Sequence, residues 1–241
     1  MFTQSQIEKL LFIDIETASN APQFQDLSPK MQGFWERKAR QYYKISVDEE
    51  FDVSASYLEK AGIFAEFNRV VCVCFGYIRW EKNAPAGTFK TFYNQDEKQV
   101  LLDTAQTLNQ PKSSQYQLCG HNIKEFDTPV LARRMLIHGV QPLPKSLNNY
   151  GKKPWEVKHL DTLELWKFGD FKNFTSLDLL THLLHIPSPK GDMDGAQVGV
   201  VFWQEQNLEK IAQYCQKDVQ ATMNLILRLS NMPLIQDEET P

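Results

Sequence analysis

Cysteine is scarce in this chain of 241 residues: only four are present, and none has the C-x-x-C spacing of a zinc site. Cys72 and Cys74 alternate along an expected strand, and Cys119 and Cys215 stand far apart. All four read as buried reduced thiols that pack as small hydrophobes, which suits a reducing, cytoplasmic compartment. Long apolar runs are absent too. No stretch approaches the ~18 residues needed to span a bilayer, so no membrane association is expected. The opening MFTQSQIEKLLFIDIE has neither a basic region nor a long apolar core, so no signal peptide is expected. Positive charge is in deficit, with 26 Lys and Arg against 30 Asp and Glu, a net charge of −4. Without a bulk basic field, any polyanionic partner must be held by a local patch or through metal ions. A P-loop, a nucleophile elbow, a dinucleotide fingerprint and internal repeats are all missing.

What remains is an ordinary globular composition, 42% hydrophobic and 23% charged, on a length that fits one large domain or two small ones. Residues 8–17 read as a first strand without Gly or Pro. Residues 20–65 are polar and mixed, with helical spacing in SPKMQGFWERKARQYYK and a short helix in SASYLEKAG closed by Gly62. No linker composition flanks this segment, so it is expected to be an insertion rather than a separate domain. RVVCVCFGYIRW and GTFKTFYN read as neighbouring strands, DEKQVLLDTAQTLN as an amphipathic helix, and YQLCGHN as a short strand entering a loop. DTPVLARRMLIHG reads as a helix with Asp127 as N-cap, Pro129 in its first turn and Gly139 at its end. A long helix, NLEKIAQYCQKDVQATMNLILRLS, closes the pattern. The expectation is one α/β domain over 1–230 with a mixed central sheet flanked by helices, followed by a tail at 231–241 whose last residues, DEETP, fray.

Charge is placed oddly within this pattern. In LLFIDIETAS, residues i and i+2 of a strand share a face, so Asp14 and Glu16 point together and Ile13 and Ile15 point the other way. Two like charges ~5 Å apart repel by roughly 3 kcal/mol at an effective dielectric of ~20. Solvent at a strand end, a basic partner or a divalent cation would each relieve them; Mg²⁺ prefers such hard oxygen ligands. Asp127 lies where a strand passes into a helix, the position at which α/β sheets place ligands, and Asn122 and Phe126 precede it. On the last helix Tyr214 and Asp218 are one turn apart, beside an inward stripe of Leu208, Ile211, Cys215, Val219, Thr222 and Ile226.

A D-x-E on the first strand, N-x-x-x-F-D before a helix and Y-x-x-x-D in the final helix occur in this order. The sequence thereby resembles the DEDD superfamily of 3′–5′ exonucleases, over nearly the whole chain from Asp14 to Asp218. The other branch of the superfamily carries histidine five positions before the last acid, where this chain has Gln213, so the resemblance is to the tyrosine branch. Within it the chain is similar to the proofreading domain of family-B DNA polymerases, without a polymerase, and SLDLLTHLLHIPSPKGDMDGAQV is similar to a segment of stand-alone members. The resemblance implies a ribonuclease H-like fold and hydrolysis assisted by two divalent ions, Mg²⁺ or Mn²⁺. It implies Asp14, Glu16 and Asp218 as ligands of one ion, and Asp14 and Asp127 as ligands of the other. Tyr214 would orient the attacking water, and Thr17, Asn122 and Phe126 would meet the terminal nucleotide. The implied substrate is nucleic acid, single-stranded DNA or a frayed 3′ end; RNA, or binding without cleavage, are the alternatives.

Lys145, Lys152, Lys153, Lys158, Lys167, Lys172 and Lys190, interleaved with Trp155, Trp166, Phe168 and Phe171, read either as a surface for single strands or as lysines over a packed aromatic core. KGDMDG fails as an EF-hand, because Lys190 falls at the first ligand and Val201 at the bidentate Glu, and it reads as a turn-rich loop near the site. His182 and His185 read as structural.

Overall fold

The computed structural model describes residues 1–170, 174–187 and 193–236. Five strands form one mixed sheet in the order β3-β2-β1-β4-β5. They are β1 (Leu10–Ser19), β2 (Asn68–Glu81), β3 (Ala84–Tyr93), β4 (Gln117–Gly120) and β5 (Leu160–Asp161). β1 pairs antiparallel with β2 and parallel with β4, and β4 pairs parallel with β5. Numbering only helices of six or more residues, these are α1 (Pro29–Tyr43), α2 (Val53–Lys60), α3 (Glu97–Leu108), α4 (Asp127–Ile137), α5 (Thr162–Lys167), α6 (Leu177–Leu183) and α7 (Leu208–Leu229). This is the ribonuclease H-like α/β architecture.

Strand alternation sorts the core into two layers. Ile13, Ile15, Val70, Val73 and Phe75 pack against α3 and α4. Phe12, Val71, Cys72, Cys74 and Ile78 pack against α7, through Ile211, Cys215, Val219, Met223 and Ile226. Val71 and Cys72 are neighbours yet share a layer, because the β1–β2 register slips between Glu16 and Thr17. Such a bulge re-aims side chains locally. All four cysteines are free and buried.

Close approach of the layers depends on two glycines. A Cβ on Gly76 of β2 would lie 2.7 Å from Val219 Cγ1 and collide with Met223. Its absence lets α7 settle onto β2 one residue from Asp218. A Cβ on Gly120 would lie 2.7 Å from the Ile13 carbonyl oxygen and strike Ile123. The end of β4 can thus lie against β1 only without a side chain.

The segment between β1 and β2 has a small core of its own, with Leu27, Trp35, Ala39, Tyr57, Ala61 and Phe67 buried together. Trp35 donates its Nε1–H to Ser56 Oγ at 3.1 Å. The segment is also stitched to β1: Thr17 Oγ1 donates to the Gly62 carbonyl at 2.7 Å, and the Ala21 N–H donates to the Tyr57 hydroxyl at 3.0 Å.

Four expectations need correction. The first strand runs 10–19, not 8–17, because Gln4–Ile7 forms a helical turn capped by Thr3. α2 ends at Lys60, and Gly62 sits within a 3-10 turn, Ala61–Ile63. Asp127 does not cap α4; Phe126 holds the N-cap position and Asp127 is the first helical residue. The segment from 231 is not a loose tail as far as it is described: Ile235 is buried and its N–H donates to Asn224 Oδ1 at 2.9 Å. Residues 237–241, which include DEETP, lie outside the described residues.

One buried ion pair locks α3 to α4. Glu97, 3% exposed, accepts from Arg134 Nε at 2.7 Å, from the Val70 N–H at 2.8 Å and from His138 Nε2 at 2.7 Å. Arg134 Nη1 donates to the Ala65 carbonyl at 3.0 Å. Burial pushes the Glu97 carboxyl up, but Arg134 and the Val70 N–H outweigh it and hold it below its usual range. Glu97→Ala strands a buried guanidinium and is expected to cost about 3–5 kcal/mol. The paired change Glu97→Leu with Arg134→Met is expected to cost markedly less; urea unfolding of the three proteins checks both.

Candidate active site

β1 carries Asp14 and Glu16 on the face turned toward α7. Their lateral neighbours on β2 are Cys74 and Cys72. Glu16 is buried, whereas Asp14 keeps part of its surface open. β4 pairs with β1 only as far as Phe12, so the Ile15 N–H gains no partner from it. Asp127 supplies one: its Oδ1 accepts from Ile15 N at 3.1 Å. That single bond ties the start of α4 to the strand bearing the other two acids.

The loop from β4 to α4 is organised by a residue that the sequence reading passed over. Asp161, buried at the end of β5, accepts from the N–H groups of Asn122 at 2.8 Å, Lys124 at 3.1 Å and Leu163 at 3.0 Å. It therefore caps α5 and fixes the turn that delivers Asp127. Its sequence signal is an acid immediately before the helix in LDTLELW. Asn122 adopts a left-handed conformation with φ +63°, and its Oδ1 is buried without a partner. Phe126 packs partly into the α3–α4 layer. Thr17 sits at the bulge, its hydroxyl committed to Gly62.

α7 supplies the remaining groups. Tyr214 and Asp218 lie one turn apart. Between them, Cys215 Sγ donates to both the Asp14 carbonyl and Asp14 Oδ2 at 3.4 Å. Burial pushes the Cys215 thiol well up, so it stays protonated and acts as a donor. Gly195 begins a short turn capped by Asp194 and lies beside Tyr214; a Cβ there would be 4.0 Å from the hydroxyl. This end of the KGDMDG motif thus borders the site, and residues 190–192 lie outside the described ones.

The electrostatics are those of a cluster short of positive charge. Burial raises Asp14 well above the carboxylate range, followed by the charges of Asp127 and Asp218. Burial likewise raises Glu16, followed by Asp14, Asp218 and Asp127. Asp127 is pushed up to about 8, chiefly by burial, with Asp161 adding to it. Asp218 is pushed up to about 6, again by burial, against a hydrogen bond from Tyr214. Burial and the charges of Asp218, Glu16 and Asp14 drive the Tyr214 phenol upward. Among the described residues, one ligand atom each from Asp14, Glu16 and Cys215 lie within 4.8 Å of one another. The two carboxylates of that group are hard oxygen donors of the kind a divalent cation takes, while Asp127 and Asp218 lie outside it.

The lysine and aromatic residues of that pattern that are described fall on either side of β5. Lys145, Lys152, Lys153, Trp155 and Lys158 lie in the segment leading into β5, at the opposite end of the parallel strands from Asp127. Trp166 and Lys167 end α5 and Phe168 follows it, with Trp166 packed beside Leu180, Ile186 and Leu225. Phe171, Lys172 and Lys190 fall outside the described residues. His182 and His185 are exposed and form no ligand group among the described residues.

The raised carboxyls have a consequence for stability. A group that binds its proton more tightly when folded favours the fold below its unfolded pKa, and that contribution is lost as pH rises through the folded pKa. With Asp127 moving from 3.8 to about 8, the metal-free protein is expected to lose stability between those values as pH rises. The slope is up to ~1.4 kcal/mol per pH unit for each such group. Thermal unfolding in chelator should show this decline, Asp127→Asn should flatten it, and a divalent ion should reverse it at pH 8. Parallel wild-type and variant profiles would contradict the electrostatic picture.

No curated protein matches the chain. A family B DNA polymerase from the hyperthermophilic archaeon Pyrobaculum calidifontis is similar in structure, with a TM-score of 0.50 and 13% identity. The similarity covers 92% of this chain but 24% of the polymerase, and it speaks for the fold alone. Residues 63–239 match the family described as predicted 3′–5′ exonuclease related to the exonuclease domain of PolB. That span includes Asp127, Tyr214 and Asp218 but begins after Asp14 and Glu16. It covers well over half of the sequence, and the chain belongs to this family.

Proposed function

We propose that the protein is a metal-dependent 3′–5′ exonuclease of the tyrosine branch. It releases nucleoside monophosphates from the 3′ end of single-stranded DNA or from a frayed end. What supports this reading is that Asp14, Glu16, Asp127 and Asp218 lie near enough to Tyr214 or to one another to interact: burial raises all four carboxyls, and charges within the set add to it at Asp14, Glu16 and Asp127. Asp14, Glu16 and Asp218 are the residues to hold one Mg²⁺ or Mn²⁺, and Asp14 and Asp127 a second. Bound there, such ions supply a nucleophile at neutral pH and stabilise charge on the phosphate.

The chain's own groups do the positioning. Cys215 aims Asp14 by donating to its carboxylate. Asp161 sets the turn that carries Asn122 and Asp127. Tyr214 stands one turn from Asp218, and burial drives its phenol upward, which favours orienting the attacking water over acting as its base. Asn122 offers a buried, unpaired Oδ1 to the terminal nucleotide, and Thr17 offers its backbone at the bulge. Phe126, held partly in the core, supports the floor beneath them. Four free, buried thiols suit a reducing cytoplasm. Among the described residues no helix is long and apolar enough to cross a membrane.

Incubation of a 5′-labelled oligonucleotide with Mg²⁺ or Mn²⁺ is expected to give a ladder of shortened products. Asp14→Ala should abolish it, and Tyr214→Phe should slow it by ~10²-fold. An active Asp14→Ala protein would refute the assignment. DNA and RNA of one sequence, run side by side, test the sugar preference, with DNA expected to be cut faster.

A further inference from the structure

At the end of the parallel strands away from the acids lies a cavity of about 870 Å³. Gln117 lines it, and Gln117 pairs with Leu10 at the start of β1. Asp14 is four strand residues further on, or ~13 Å along the sheet. The cavity is therefore separate from the carboxylate cluster, and nothing in the proposed hydrolysis uses it.

Its lining is unlike the rest of this acidic chain. Lys145, Lys152 and Lys158 line it, together with one acid, Glu156, and with Ser146, Asn149 and His159. Residues 141–159 hold four lysines and a single acid, Glu156, whose carboxylate is occupied in accepting from the Lys153 N–H at 2.7 Å. Ser146 Oγ is buried without a partner. His159 is held neutral, its pKa lowered to about 4 by burial first and then by Lys124 and Lys152. The neutral ring receives Asn149 Nδ2 at 3.2 Å.

The same segment leaves two large rings in water. Tyr150 is 97% exposed and Trp155 is 76% exposed. Burying a large apolar side chain is worth about 1.5–3 kcal/mol, a gain these two positions forgo. Lys153 Nζ stands 5.2 Å from the Trp155 ring centroid, so a cation already borders the ring. Lysines that track a phosphate backbone, interleaved with open aromatic faces, are the chemistry of single-strand binding, where each stacked base contributes ~1–3 kcal/mol.

We propose that this segment and cavity form a second, non-catalytic site for single-stranded nucleic acid, with phosphates on Lys145, Lys152 and Lys158 and bases stacked on Trp155 and Tyr150. The choice of ligand rests on the nucleic-acid reading above, but the site acts without cleavage. It engages strands long enough to reach past the catalytic edge and leaves minimal substrates untouched.

The test separates the two readings. Protein in chelator, where hydrolysis is off, is titrated with an oligothymidylate of roughly 20 nucleotides while tryptophan fluorescence is read. Quenching is expected in the wild type and should be largely lost in Trp155→Phe. Lys152→Glu with Lys158→Glu should weaken the Kd at least ~10-fold at low salt and flatten its salt dependence. Both variants sit at the surface, and circular dichroism checks their folding. With Mn²⁺ present, both should hydrolyse the p-nitrophenyl ester of thymidine 5′-monophosphate at the wild-type rate, yet shorten the long strand more slowly. Binding indifferent to these substitutions overturns the second site. Equal quenching by polyglutamate overturns its assignment to nucleic acid, and equal quenching by thymidine monophosphate reduces it to a mononucleotide site. A wild type that ignores the ester contradicts the exonuclease reading and leaves the chelator result standing.

Discussion

Repulsion among buried carboxylates is the constraint around which this protein is arranged. Asp14, Glu16, Asp127 and Asp218 arrive from β1, α4 and α7; burial raises every carboxyl, and mutual charge adds to it at Asp14, Glu16 and Asp127. Left to itself, such a cluster would spread apart or take up protons. The fold does not let it spread, and a cation is the partner that its geometry and donor chemistry fit.

Several features hold the acids in place against that cost. Gly76 lets α7 press onto β2, which brings Asp218 over the strand face. Gly120 lets the end of β4 lie against the Ile13 carbonyl, and Asp127 then reaches the Ile15 N–H that β4 leaves free. Asp161 gathers three backbone N–H groups of the connecting turn and the next helix. Further along α4, Arg134 binds the buried Glu97 of α3 and keeps the helix from rocking. Each contact is local, yet each bears on where a carboxylate ends up.

The two ends of the sheet have different characters. One gathers negative charge, with the insertion after β1 packed beside it through Thr17 and Tyr57. The other gathers lysines and exposed rings around a cavity. An acidic chain can meet a polyanion in both ways: through cations at its carboxylates, and through a local basic patch where it has spare lysines. The family match spans Asp127, Tyr214 and Asp218, and the fold adds the two acids of β1, whose strand is held by Asp127 and Cys215.

By itself the sequence determined the elements and the acids. Period-2 alternation marked β1 and β2, 3.6-residue periodicity marked α3, α4 and α7, and carboxylates at i, i+2 on a strand had to share a face. These are local rules, and the chain obeys them to within a few residues. Tertiary structure alone decided how the pieces meet. It turned Asp127 from a helix cap into a partner for the Ile15 N–H, because β4 is too short to satisfy that donor. It gave Asp161 its role, because β5 ends beside a turn forty residues earlier in the chain. It folded 231–236 back onto the core, and it parted the lysines of one sequence region to opposite ends of β5, because that two-residue strand runs between them. Pairings between distant residues leave little trace in local pattern, since they are set by which backbone groups remain unsatisfied once the sheet has formed.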